Sequence, residues 1–86
     1  MLRREENVIV AEVDGKPRLL NLRSWTYLAL NDTGERIWAL LAEPKDRAAL
    51  LRRLADEFDA PAETIARDLD SFLGELREQG FLAPDQ

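Results

Sequence analysis

The dipeptide Asp14-Gly15, set between two segments rich in β-branched and aliphatic residues, most restricts the fold of this chain. A two-residue type I′ turn needs positive φ at both central positions, and Asp-Gly is one of the dipeptides that accept it. Residues 7–13 before the turn and residues 18–22 after it are therefore predicted to form a β-hairpin.

A third strand is predicted over residues 25–30, which are aromatic and β-prone. Side chains alternate along a strand, so one face carries Trp25, Tyr27 and Ala29 and the other carries Thr26, Leu28 and Leu30. We expect Leu28 and Leu30 to lie in the core. In a simple meander this strand is an outer one, and its free edge is a template to which a peptide strand can add.

Two segments with helical periodicity follow the strands. Asp32 and Glu35 have the spacing of a capping box, which predicts the start of the first helix. Pro44 is expected to end that helix, and Asp46 to cap the second one. The apolar residues at helical spacing are Ile37, Leu40 and Leu41, flanked by Trp38, in the first helix and Leu50, Leu51, Leu54 and Phe58 in the second.

The third helix is predicted to be the longest, from Pro61 as its first residue to residue 79, with Gly80 as its left-handed terminator. Gly74 lies inside it, at a cost of about 1 kcal/mol relative to alanine. Its apolar stripe comprises Ile65, Leu69, Phe72, Leu73 and Leu76.

Three strands followed by three helices predict an α+β fold in one domain, residues 1–86, with a three-stranded antiparallel sheet. The second and third helices have helix-turn-helix spacing, so the outline is winged helix-turn-helix-like.

The chain contains no histidine and no cysteine, which excludes disulfides, thiolate or imidazole metal ligands, cysteine nucleophiles and imidazole bases. Its four glycines are isolated, so none forms a phosphate loop. We therefore expect no catalysis, no metal and no cofactor. There is neither a membrane-spanning apolar run nor the apolar segment of a signal peptide, so we expect a cytoplasmic protein.

DNA binding is an alternative because winged helices often bind DNA. Five acids against two bases give residues 61–79 a formal charge of −3, which is unsuited to a helix lying against phosphates. The second helix is more basic, with Arg47, Arg52 and Arg53, although Asp56 and Glu57 can pair with them on the surface.

Two segments resemble a known family. Residues 27–41 read Tyr-Leu-Ala-Leu-Asn-Asp-Thr-Gly-Glu-Arg-Ile-Trp-Ala-Leu-Leu, similar to the "Leu-Asn-x-x-Gly-x-x-Ile-Trp-x-Leu" signature of the PqqD-like family, the RiPP precursor recognition elements. Residues 68–82 read Asp-Leu-Asp-Ser-Phe-Leu-Gly-Glu-Leu-Arg-Glu-Gln-Gly-Phe-Leu and resemble the family's closing motif "Asp-hydrophobic-x-x-Phe-Leu-x-x-Leu-x-x-x-Gly-Leu-Leu".

The resemblance implies a non-catalytic protein that binds the leader of a ribosomally made precursor peptide and presents the core segment to modifying enzymes. The leader adds as a strand beside the third strand and packs against the third helix. On this reading the groove comprises Trp25, Thr26, Tyr27, Leu28 and Ala29 on one side and Ile65, Asp68, Leu69, Phe72 and Leu76 on the other.

Within the family the chain is most similar to the stand-alone leader-binding subunits of lasso peptide systems. That implies a leader peptidase of the cysteine-protease class, and an ATP-dependent cyclase, as further partners. Three alternatives remain open: a pyrroloquinoline quinone precursor chaperone that serves a radical-SAM enzyme, a winged-helix DNA-binding protein, and a structural or dimerisation module. The sequence favours a monomer or weak dimer with neither nucleic acid nor membrane as partner.

Overall fold

The computed structural model describes residues 1–83 and has the predicted order of three strands followed by three helices. The strands form one antiparallel sheet in the order β1-β2-β3, so the α+β prediction is confirmed. The elements are β1 (Val8–Val13), β2 (Lys16–Asn21), β3 (Tyr27–Ala29), α1 (Asp32–Leu40), α2 (Arg47–Glu57) and α3 (Ala62–Gln79).

The β1–β2 hairpin has the turn that its sequence predicts. Asp14 has φ 54° and Gly15 has φ 76°, both in the left-handed region that a type I′ turn requires. Val13 lies opposite Lys16, which leaves a two-residue loop.

Strand β3 is shorter than predicted, covering three residues instead of residues 25–30. Trp25 has φ 61°, a left-handed conformation that breaks an extended strand, so it lies in the turn before β3. At the other end, Leu30 donates its N–H to the Pro17 carbonyl at 3.4 Å. Proline has no N–H to return to Leu30, and the ladder therefore ends at Ala29.

The predicted helix starts are partly wrong. The cap of α1 is Asn31 and not Asp32: Asn31 has extended backbone and its side chain accepts the Gly34 N–H at 2.7 Å. Asp32 becomes the first helical residue because the chain turns out of β3 one residue earlier than predicted. Pro61 is likewise the residue before α3. Asp46 is confirmed as the cap of α2.

The core lies between the inner face of the sheet and the three helices. Leu19 of β2 is fully buried, and Leu28 and Leu30 pack partly buried against the same cluster. The buried cluster comprises Leu19, Ile37, Trp38, Leu40, Leu41, Leu50, Leu54, Ile65, Leu69, Leu73, Leu76 and Phe81.

The N-terminal segment before β1 pairs with two distant parts of the chain, which the sequence does not predict. Leu2 forms an antiparallel bridge with Lys45, and Arg4 forms one with Leu82. The Arg4 guanidinium lies 4.6 Å from the centre of the Trp38 ring, and its Nε donates to the Trp38 carbonyl at 3.0 Å. Partial burial lowers the pKa of Arg4.

Candidate functional site

Strand β3 forms one edge of the sheet, and among residues 1–83 its only strand neighbour is β2. Two backbone hydrogen bonds fix which residues face that neighbour. The Asn21 N–H donates to the Thr26 carbonyl at 3.0 Å, and the Leu30 N–H donates to the Pro17 carbonyl at 3.4 Å. Alternate residues of an antiparallel strand turn their backbone groups to the same side, so Thr26, Leu28 and Leu30 face β2.

Tyr27 and Ala29 consequently direct their N–H and C=O groups away from the sheet. Within residues 1–83, neither residue takes part in a backbone hydrogen bond outside the β2–β3 ladder. We call these four groups the free edge of β3. They have the spacing that a further extended strand needs to pair in register.

A cleft of about 560 Å³ opens between the end of β3, the start of α1 and α3. It contains one large apolar side chain from α3, Phe72, which is partly buried. The lining residues are Lys16, Arg18, Ala29, Leu30, Asn31, Thr33, Gly34, Asp68, Ser71, Phe72 and Glu75.

Helix α3 presents two neighbouring stripes, and only one of them reaches the cleft. Asp68, Ser71, Phe72 and Glu75 are three or four residues apart and line it. Ile65, Leu69 and Leu76 lie on the adjacent stripe, with exposed fractions of 5%, 0% and 0%. Their burial differs from the sequence prediction that they line the groove, because the helix packs its most apolar stripe into the core.

The predicted strand residues occupy different surroundings. Trp25 and Tyr27 are 68% and 53% exposed, and Leu28 packs against the core. The Ser24 hydroxyl donates a hydrogen bond to the Thr26 hydroxyl at 3.0 Å. Ala29 lines the cleft, so it, Asp68 and Phe72 are the predicted site residues that the fold brings together there.

Sequence reasoning missed most of the remaining lining residues. Ser71 and Glu75 had a usable signal, since they lie three and seven residues after Asp68 on one helix face. Lys16 and Arg18 had none, because a strand pattern does not show which helix will lie beside its end.

Charges of both signs border the cleft, with the carboxylates of Asp68 and Glu75 on α3 and the cations of Lys16 and Arg18 on β2. The Arg18 Nε is buried and has no hydrogen-bond partner among residues 1–83. Asp70 of α3 belongs to a different site, where the Arg47 Nε donates to its carboxylate at 2.6 Å and lowers its pKa.

Within the described part of the chain, no three acidic side chains are grouped closely enough to hold a metal ion. None of the described helices combines the length and hydropathy needed to cross a membrane.

Comparison with known proteins identifies the family. The family model described as coenzyme PQQ synthesis protein D (PqqD) matches residues 18–82, which include most of β2, all of β3 and all three helices. The chain belongs to the PqqD family. The matched residues include the free edge of β3 and the residues of α1 and α3 that line the cleft.

Two solved structures of similar proteins cover almost the whole chain. TbiB1 in complex with the TbiA(beta) leader peptide is 31% identical, with a TM-score of 0.81, and the match covers 98% of each chain. Lasso peptide synthetase B1 complexed with the leader peptide is 29% identical, with a TM-score of 0.78, over 96% of this chain and 98% of that one. No curated protein sequence matches this chain.

Proposed function

We propose that this PqqD-family chain is a leader-binding adaptor of lasso peptide biosynthesis. It binds the leader of a ribosomally synthesised precursor and presents that precursor to a leader peptidase of the cysteine-protease type and to a cyclase. The chain itself catalyses no step and acts in the cytoplasm. Both solved relatives are leader-peptide complexes, which supports this function.

The observation that carries the proposal is the free edge of β3 beside the cleft. A leader strand pairing with Tyr27 and Ala29 gains backbone hydrogen bonds that do not depend on its side chains. Every second side chain of that strand turns toward α3. There the Phe72 ring offers an apolar contact and Asp68 a carboxylate.

The predicted site residues take different roles in this arrangement. Tyr27 and Ala29 bind through their backbone, and Asp68 and Phe72 contact leader side chains. Trp25, Thr26 and Leu28 flank or support the edge. The remaining three predicted residues, Ile65, Leu69 and Leu76, fix the position of α3 from within the core.

The charge of α3 favours a leader with basic residues near the cleft. Five acids against two bases give Ala62–Gln79 a formal charge of −3. Because Asp68 and Glu75 lie at an open cleft, their attraction is screened, and leader affinity should weaken as salt increases.

The alternatives have weaker support. Of the three arginines of α2 that DNA binding would use, Arg47 is paired with Asp70, and the Arg53 Nε lies 3.9 Å from a Glu57 carboxylate oxygen. The family model carries the name of a coenzyme PQQ protein. However, both solved relatives that cover the chain end to end are described with leader peptides, one of them as a lasso peptide synthetase subunit.

The test uses proline to remove one donor from the free edge. Ala29→Pro deletes an outward N–H and leaves the β2–β3 bonds in place, a substitution that edge strands tolerate. The control is Val10→Pro on the opposite edge. Leu22 donates to the Asn7 carbonyl at 2.6 Å, so odd-numbered residues of β1 face β2 and Val10 points outward.

The probes are fluorescein-labelled leader peptides: the TbiA(beta) leader of the solved relative, and the leader of any short precursor gene that is found near this chain's gene. Fluorescence anisotropy should show that Ala29→Pro weakens binding about tenfold, because an unpaired leader carbonyl costs 1–3 kcal/mol. Val10→Pro should bind like wild type. If wild type, Ala29→Pro and Val10→Pro bind with equal affinity, the leader does not pair with the free edge of β3. If wild type does not bind a leader at tens of micromolar, the adaptor function is wrong.

A further inference from the structure

Gly34 contacts the Phe72 ring at the floor of the cleft with no room for a side chain. A Cβ placed on Gly34 would lie 2.9 Å from Phe72 Cε1, 3.2 Å from its Cζ and 3.2 Å from Asn31 Oδ1. The backbone does not require glycine here, because positive φ among the described glycines occurs only at Gly15 and Gly80. The close approach of the Phe72 ring is therefore the reason why this position favours a residue without a side chain.

The two contacting groups differ in how easily they move. The first turn of α1 is held by the Asn31 cap and by Ile37, which is fully buried. Phe72 is only partly buried, and its ring faces the open cleft. A side chain at position 34 would therefore push the ring into the space that the cleft provides.

We propose that Gly34 is a positioning residue of the leader-binding site. Its missing side chain lets the tip of the Phe72 ring pack close to α1, which keeps the cleft wide enough for an apolar leader side chain to contact the ring. This inference rests on the proposed function. Beyond that function, we infer that a residue of α1 determines the width of the cleft, although the leader strand does not need to contact α1.

The central variant is Gly34→Ala. Alanine favours the helix, which offsets the displacement of one partly buried ring, so the protein should fold. In the free protein, nuclear Overhauser contacts between the Gly34 Hα and the Phe72 ring should be replaced by weaker ones. Affinity for the labelled leader peptide that wild type binds most tightly should fall about tenfold, as expected when an aromatic side chain at the centre of an interface is displaced.

The control is Gly74→Ala, which adds the same methyl group to α3 where nothing lies within 4 Å. It should leave leader affinity unchanged. A second pair of proteins tests whether the effect passes through the ring. Phe72→Leu lacks the two ring atoms that clash, so Gly34→Ala should weaken binding far less in that background than in wild type.

The outcomes separate the two proposals. No leader binding by wild type overturns the adaptor function and this inference with it. Wild-type binding with unchanged affinity in Gly34→Ala overturns the inference alone. Equal weakening by Gly34→Ala in both backgrounds also overturns it, because the effect then bypasses Phe72. If Gly34→Ala does not fold, the ring does not yield into the cleft and the inference is wrong.

Discussion

At the scale of single residues, Asn21 connects the turn before β3 to the end of α3. Its Oδ1 accepts the N–H groups of Arg23 at 2.8 Å and Ser24 at 3.1 Å, and its Nδ2 donates to the Gly80 carbonyl at 2.9 Å. The side chain is 6% exposed. One buried amide thus holds together the elements that form both walls of the cleft.

Replacing Asn21 with alanine should therefore be costly. The variant leaves two N–H groups and one carbonyl without their partner, and we expect a loss of about 1–3 kcal/mol in the free energy of unfolding. Urea denaturation followed by circular dichroism measures it. Ser24→Ala, which removes an exposed hydroxyl bonded to Thr26, should change stability by less than about 0.5 kcal/mol. Equal losses in the two variants would contradict this role.

The sequence predicts the role of a single residue correctly where that role depends only on its neighbours in the chain. Asp14-Gly15, Asp46 and Gly80 are confirmed because a turn, a cap or a left-handed terminator depends on residues close in the chain. The cap of α1 was predicted wrongly because Asn31 and Asp32 have equivalent capping ability. The choice between them depends on where the chain leaves β3.

At the scale of elements, α3 buries one stripe and exposes its neighbour to the cleft. Helical periodicity predicts the apolar stripe but cannot show where the sheet edge will lie relative to it. The sequence therefore predicts Leu69 in the groove, whereas in the structure Leu69 has no exposed surface and Ser71 and Glu75 line the cleft. The edge itself was predictable, because a third strand in a meander has only one neighbour.

Substitutions one position apart on α3 should separate stability from binding. Leu69→Ala empties a fully buried position and should lower the free energy of unfolding by about 2–5 kcal/mol. Asp68→Ala should change the free energy of unfolding by less than about 0.5 kcal/mol. It should weaken the binding of a basic leader, and this effect should become smaller as the salt concentration rises. Chemical denaturation and anisotropy titrations at two salt concentrations test this. A stable Leu69→Ala protein would show that the stripes are wrongly assigned.

At the scale of the whole molecule, two ion pairs tie the helices to one another. Arg36 of α1 binds Glu57 of α2, and Arg47 at the start of α2 binds Asp70 of α3. In each pair the arginine lowers the pKa of the carboxyl group through a hydrogen bond. The excess of acidic residues that gives the chain its charge of −5 is thus partly used to hold the helices together.

These pairs make stability fall in acid. A carboxyl group whose pKa is lowered by folding contributes stability above its ordinary pKa, 3.8 for Asp70, and loses it as pH falls through the lowered value. Asp70→Asn should therefore be less stable than wild type at pH 7 and pH 5, and the difference should close below about pH 4. Thermal unfolding at several pH values measures it.

The control for the acid dependence is Asp56→Asn, which removes the same charge from α2 outside the Arg47–Asp70 pair. At pH 7 it should be closer in stability to wild type than Asp70→Asn is, because a surface substitution outside such a pair changes the free energy of unfolding by less than about 0.5 kcal/mol. A gap between Asp70→Asn and wild type that persists unchanged to pH 3 would show that the pair does not stabilise the fold.

The bridge between Arg4 and Leu82 brings segments from opposite ends of the chain side by side, with the Ala83 N–H donating to the Arg3 carbonyl at 2.8 Å. This proximity makes the fold suitable for circular permutation. A linker could join residue 3 to residue 83, and new ends could be opened in the Asp14–Gly15 turn, directly before Lys16 of the cleft. The connection from Lys16 through α3 would stay continuous, so such a permutant would keep every residue that lines the cleft and would carry its new ends beside it.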